Sequence, residues 1–350
     1  MNNKLKKIVA VLAALAILTS GWYFFYWLKT PQHSIALIAD AVRQHDLKTF
    51  EKHVDMDNLY SKAYDDVVAV TFGSDKNANP IIVAIVKGIK GLAVPLLTSE
   101  TRSYIVHGDK PEGDAEVQKS IPAGNENGAE IVDNLKSRTG FGSLKYEGVE
   151  NTDINDDNAI VSIKLRDEKL SRDFILKIKM QQLDDGLWRL QEITNLQDFM
   201  KEREEAVKAK LAELNKPIAG QIDANVKLDK KLLQITSVHY SSIIRMLETE
   251  VNLTNTSGKN VNYIAGMLEL YGELYGDDGQ IFYSGSFASN AVLRNGSSKL
   301  YKFDFELNPY VKEDAAVISS DLSKVKWNAY LTNVAFYDGS SFDYLTELPK

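Results

Sequence analysis

Arg172-Asp173-Phe174-Ile175-Leu176-Lys177-Ile178-Lys179-Met180-Gln181-Gln182, with the Asp184-Asp185-Gly186 that follows, decides how the first half of the chain folds. Phe174, Leu176, Ile178 and Met180 alternate against Lys177, Lys179 and Gln181. A period of two sends one set to a buried face and the other to water, which makes a strand. Asp184-Asp185-Gly186 is a hairpin signal, because Asp and Gly tolerate the positive φ of a tight turn. Leu187 to Thr194 then returns as the partner strand. Upstream, Leu144 to Val149 and Ala159 to Arg166 read as two further strands around the turn Asn155-Asp156-Asp157-Asn158.

Before this meander the period is helical. Thr30 is a good cap and Pro31 fits the first helical position, with Ile35, Ile38, Ala39 and Val42 on one face. Asp46 caps a short helix carrying Phe50 and Val54. Asp57 caps a third, carrying Leu59, Ala63, Val67 and Val70. Gly73 to Asn79 is a polar loop, and Pro80 to Leu97 is strongly apolar with Lys87 and Lys90 on one face. Two readings fit that helix. It is buried with a lysine stripe to water, or it lies on a membrane surface with the lysines toward anionic lipid. Pro95 is read as an end or kink, with a separate short helix from Ser99 to Val106. Residues 108–128 form a polar loop, and Ile131 and Leu135 mark another short helical piece. Helices followed by an antiparallel meander define an α+β domain.

Leu196 to Leu214 is dense in charge with a thin apolar stripe; it reads as a solvated linker helix or as a coiled-coil contact to another subunit, and Lys216-Pro217 is expected to end it. From Leu232 the chain reads as strands. Leu247, Thr249, Val251 and Leu253 alternate, as do Ile264, Gly266, Leu268 and Leu270, then Tyr301, Phe303, Phe305 and Leu307, then Val325, Trp327, Ala329 and Leu331. Ile281 to Phe287 adds a strand, and Gly276-Asp277-Asp278-Gly279 and Arg294-Asn295-Gly296 are turns. Regular strands and turns predict a β-sandwich.

Ahead of both domains lies an uncharged apolar run, Ile8 to Leu28, long enough for the ~20 residues of a membrane-spanning helix. Ile8, Leu12, Leu15 and Leu18 lead into an aromatic block of Trp22, Phe24, Phe25 and Trp27 with Tyr23 and Tyr26, placed as an interfacial belt. A cleaved signal peptide needs small residues at a cleavage site, and Thr19-Ser20-Gly21 before that block supplies no Ala-x-Ala. Lys4, Lys6 and Lys7 precede the run, so the positive-inside rule places the N-terminus in the cytoplasm and the bulk in the periplasm or outside the cell. The expected division is a cytoplasmic tip and anchor over 1–29, an α+β domain over 30–195, a charged helical linker over 196–229 and a β-sandwich over 230–350. The lipid bilayer of the inner membrane is thus an expected partner.

The net charge of −7 in 350 residues, without a basic block, argues against nucleic acid. The absence of cysteine excludes disulfides, thiolate nucleophiles and zinc–thiolate sites. The five histidines form no His-x-His or His-x-x-x-His pair, and no P-loop, Gly-x-Ser-x-Gly, dinucleotide fingerprint or His-Glu-x-x-His occurs. Asp55 and Asp57 read as helix punctuation, and Gly276 to Gly279 as a hairpin turn before a calcium loop. No cofactor, metal or catalytic residue is expected.

Ser34-Ile35-Ala36-Leu37, Ala41, Asp46, Phe50, Val54-Asp55 and Leu59 behind an aromatic-ended anchor resemble an uncharacterised bacterial membrane-anchored envelope family. Asp185-Gly186-Leu187-Trp188-Arg189-Leu190 with Ile193 resembles that family's last hairpin, and is similar to the end of cone-shaped domains of the nuclear-transport-factor-two and cystatin type. This chain has Met56-Asp57 where the family tends to Phe-Pro. Val251 to Lys259, and Leu268-Glu269-Leu270-Tyr271 before Asp278-Gly279-Gln280, resemble bacterial immunoglobulin-like modules, with Gly272 where an Asp is usual. These resemblances imply an envelope protein and no activity. Two functions from different classes follow: a non-catalytic protein whose sandwich binds an envelope protein or polymer, or a cone with a pocket for a small ligand or acid–base chemistry, lined by His107, Lys164 and Lys179.

Overall fold

The computed structural model describes residues 12, 15, 20–23, 26–72, 80–108, 143–237, 245–272 and 279–349. It has a mixed α+β composition with antiparallel sheets and divides into two compact units, Met1–Val207 and Lys208–Pro349. Among the described residues no helix is long and apolar enough to cross a membrane. The expected anchor falls largely outside them: Ile8, Leu18, Phe24 and Phe25 are not described, and Leu12, Leu15 and Trp22 are helical with exposed side chains. The 73–79 loop, the 109–128 stretch, Ile131, Leu135 and most of the 276–279 turn also lie outside the described residues.

In the first unit a 3-10 turn, Trp27–Lys29, leads into helices α1 (Pro31–Arg43), α2 (Leu47–His53), α3 (Met56–Phe72) and α4 (Pro80–His107). Thr30 caps α1 by accepting from His33 N, with Pro31 at the first position. Asp46 caps α2 by accepting from Thr49 N at 3.0 Å. Asp55, rather than Asp57, sits ahead of α3 and accepts from Asn58 N; Asp57 accepts instead from Thr98 of α4 at 3.2 Å. One correction concerns Pro95, which does not end its helix: α4 runs through it, and the expected Ser99–Val106 helix is its last part. A proline inside a helix costs about 3 kcal/mol. Here Ala93 and Thr98 are buried on either side of it, and Lys90 and Thr98 bond to Asp65 and Asp57 of α3, so packing along α3 outweighs the local defect.

The meander follows as β1 (Leu144–Asn155), β2 (Asn158–Asp167), β3 (Arg172–Gln182) and β4 (Trp188–Ile193), hydrogen-bonded in that order and antiparallel throughout. Asn155 pairs with Asn158, so Asp156-Asp157 is a two-residue turn, and Asp156 takes φ +52° as such turns require. Gly186 takes φ +82° in the β3–β4 turn. Val161, Leu165, Phe174, Leu176, Ile178 and Met180 form one face, which packs with Val67 of α3 and with Leu196, Phe199 and Met200. The latter three open α5 (Leu196–Asn225).

The expected linker helix is also corrected. Pro217 lies inside α5, which continues to Asn225 and meets β5 at Val226. Asn215 is fixed by two bonds with the Leu345 backbone, and Ile222 is buried in the second core, so the helix is held on both sides of the proline. Its ends are packed, through Leu196, Phe199 and Met200 at the start and Ile222 near the end, whereas no residue of 201–214 is buried.

The second unit has two antiparallel sheets. One is β5 (Val226–Ser237), β6 (Arg245–Asn255) and β9 (Ser298–Leu307), in that order. The other has the order β11 (Ser341–Asp343), β10 (Lys326–Phe336), β7 (Val261–Tyr271) and β8 (Ile281–Leu293). Leu247, Val251, Leu253 and Phe303 from the first sheet join Ile264, Leu268, Leu270, Phe287 and Leu331 from the second in one core. Phe287 stacks on Phe303 with centroids 4.3 Å apart. Gly266 makes room for this, since a Cβ there would meet the Phe287 ring and the Tyr330 carbonyl at 2.4 Å. A short helix, α6 (Lys312–Ser319), precedes β10 and buries Val317; its one-sided apolar pattern is too short to stand out from the chain alone.

Candidate functional site

The sequence-derived candidates do not converge. Lys90 Nζ lies 2.7 Å from Asp65 on α3, and the Lys87 side chain is outside the described residues. His107 ends α4 exposed, its Nδ1 3.2 Å from the Ser103 carbonyl one turn back. Lys164 and Lys179 occupy the outer face of the meander, because their neighbours Leu165, Ile178 and Met180 take the helix-facing side. That inner side is occupied by Phe174, Phe199 and Trp188. On the outer face Lys164 Nζ is 2.8 Å and Arg166 Nη1 2.7 Å from Asp173, and these bonds, Lys164's first, hold the Asp173 carboxyl below the usual carboxylate range. Lys179 is 3.4 Å from Glu192. Among the described residues no group of three His, Cys, Asp or Glu side chains could hold a metal.

Two arrangements that sequence reasoning missed carry more. The first is a seat around Trp188, at the start of β4. Its indole Nε1 donates to the Lys29 carbonyl at 2.9 Å, and its backbone N donates to Ser34 Oγ at 2.9 Å. Its own carbonyl accepts from Nδ1 of His53, which is buried, at 2.9 Å. Lys52 pairs with Asp185 in the adjoining turn at 2.6 Å, and that bond keeps Asp185 below the usual carboxylate range. The Lys29 side chain lies over Gly186, where a Cβ would come within 3.0 Å of its Cδ. Burial, and next the nearby His53, hold His33 below the usual imidazole value. Trp188 thus fixes the backbone just behind the aromatic block, while Trp22, Tyr23, Tyr26 and Trp27 remain exposed, with Trp22 stacked on Tyr26 and Trp27. The Asp-Gly turn followed by Trp in the sequence was the one advance signal of this seat.

The second arrangement lies on the outer face of the β11-β10-β7-β8 sheet of the second unit. Leu268 and Leu270 are buried, so Glu269 and Tyr271 point the other way. Tyr330 reaches the same carboxylate from β10, donating to Oε1 at 2.8 Å, and Tyr271 OH donates to Oε2. Tyr344 stacks on Tyr330 at 6.4 Å between centroids. The bond to Glu269 and burial push the Tyr271 phenol up to about 12. Burial and then the same carboxylate also raise the Tyr330 phenol above the usual tyrosine range. Among the described residues no lysine or arginine pairs with Glu269, whereas Asp173 meets two such cations and Glu192 and Glu248 one each. The two halves of this cluster are 61 positions apart and meet only through the β7–β10 register.

No protein-family model matches the chain and no curated protein matches it.

Proposed function

We propose that this is a single-pass protein of the bacterial inner membrane, N-terminus in the cytoplasm, that acts without catalysis by presenting its C-terminal unit to an envelope protein or polymer. The observation that carries the reading is the Trp188 seat. A buried indole and a hairpin turn are spent on fixing the Lys29 backbone immediately after an uncharged run ending in exposed aromatics. Such a seat suits a domain held close to the bilayer surface, where Trp and Tyr lie at headgroup level. The lysines at 4, 6 and 7 supply the orientation.

For the second unit, the strand order supports an immunoglobulin-like sandwich. Sheets β5-β6-β9 and β11-β10-β7-β8 follow the A-B-E and G-F-C-C′ neighbour relations of such domains. The resemblance to an envelope family and the lack of catalytic motifs agree with a binding role. Protease treatment of spheroplasts tests the address. Digestion of everything beyond Lys29 from the periplasmic side, requiring outer-membrane disruption in whole cells, is expected. A C-terminal unit protected in spheroplasts and cut only after lysis would overturn it.

A further inference from the structure

We infer that the Glu269–Tyr271–Tyr330 cluster is a docking site for a lysine side chain of a partner protein. The inference rests on the binding role proposed for this unit and names the chemistry of its partner. Both phenol protons are committed to the Glu269 carboxylate. What the cluster still offers is therefore acceptors only: the remaining carboxylate lone pairs, two phenolic oxygens and aromatic faces. That set attracts an organic cation through charge, hydrogen bonding and ring quadrupoles together.

Chemistry selects ammonium over guanidinium. Arginine's planar fork prefers an open edge formed by both oxygens of a carboxylate, and a phenol on each oxygen leaves single acceptor sites rather than that open edge. An ammonium is a point charge with three rotatable donors, which match one carboxylate and two phenolic oxygens. The unit already places lysines over aromatic rings: Lys230 over Trp327 at 5.0 Å and Lys299 over Tyr301 at 5.0 Å. Glu269 with its tyrosines is the corresponding half-site with no lysine of this chain paired to it among the described residues.

The test uses the full chain in detergent micelles with isotope-labelled tyrosine, titrated with Nα-acetyl-lysine methylamide and followed by NMR. The lysine mimic is expected to shift the Tyr271 and Tyr330 resonances saturably. Its Nε-acetylated form is expected to leave them in place. Glu269→Gln is expected to weaken binding about tenfold, the loss of one charge-assisted contact. Tyr271→Phe keeps the carboxylate, is the milder change for folding, and is expected to weaken binding about threefold. No saturable shift, equal binding of the acetylated mimic, or unchanged affinity in both variants would overturn the proposal. An arginine mimic that binds tighter would overturn the choice of lysine, and glycerophosphoethanolamine binding as tightly would reassign the site to a lipid headgroup. The spheroplast experiment reads topology alone, so failure of the address and failure of this site are separate results.

Discussion

The outer faces of the two four-stranded sheets differ in how they treat their carboxylates. On the meander of the first unit Asp173 is gripped by Lys164 and Arg166, and Glu192 by Lys179, so each charge is answered within the chain. On the β11-β10-β7-β8 sheet Glu269 is answered, among the described residues, by neutral phenols. Both faces are polar, and polarity alone would not separate them. What separates them is the partner: a closed ion pair has nothing left to bind, whereas a carboxylate held by two hydroxyl donors keeps its charge on offer.

Substitutions on the two units separate these cases. The largest expected effect is on the first unit's core, where Trp188→Ala should cost about 3–5 kcal/mol, read as a lowered thermal midpoint. It removes the indole from the core and frees the Lys29 carbonyl at once. Asp167→Asn comes next. Asp167 is fully buried and accepts from Arg203 at 3.0 Å and from the backbone of Lys169 and Leu170. Removing its charge leaves Arg203 without its counter-charge and should cost about 3 kcal/mol, the low end for a broken buried pair because Arg203 keeps some exposure. Smaller still is Asp173→Asn. Its folded carboxyl lies below the unfolded value, so its contribution is present at neutral pH and is lost as pH falls through the folded value. The variant should therefore lower the thermal midpoint at neutral pH and converge with the parent in acid. Should Glu269→Gln show the same neutral-pH loss as Asp173→Asn, the contrast between the two faces would fail.

Much of the fold was readable because local and long-range demands agree there. The Arg172–Gln182 alternation fixed a strand with those bounds, and Thr30 and Asp46 cap the helices that follow them. Pro95 and Pro217 misled because a proline's cost is local, while the compensation comes from distant partners, Asp65 with Asp57 and Leu345. The anchor's aromatic residues were visible, but the Trp188 indole that seats the chain behind them lies 159 positions from Lys29. The Glu269 cluster was half visible. Glu269 and Tyr271 could be placed on one face of a strand by spacing, but Tyr330 joins them through β7–β10 pairing, a register that composition and periodicity do not encode.

The smallest effect expected is also the most direct reading of the cluster. Tyr271 is pushed up to about 12, first by its bond to Glu269 and then by burial. A phenol whose folded pKa is raised favours the protonated form in the fold. The stability it contributes is present below the ordinary tyrosine value near ~10 and is lost as pH rises from there through the folded value. Glu269→Gln replaces a charged acceptor by a neutral one and removes the negative field beside the ring, leaving burial as the remaining cause. An alkaline titration of tyrosinate absorbance should then show a late-titrating phenol moving down toward the bulk of the tyrosines. Tyr283, also raised to about 12, is held there by burial and then by Asp314, so it should not move and serves as the control in the same curve. If both phenols titrate unchanged in the variant, Glu269 is not charged against Tyr271, and the difference between the two sheet faces loses its chemical basis.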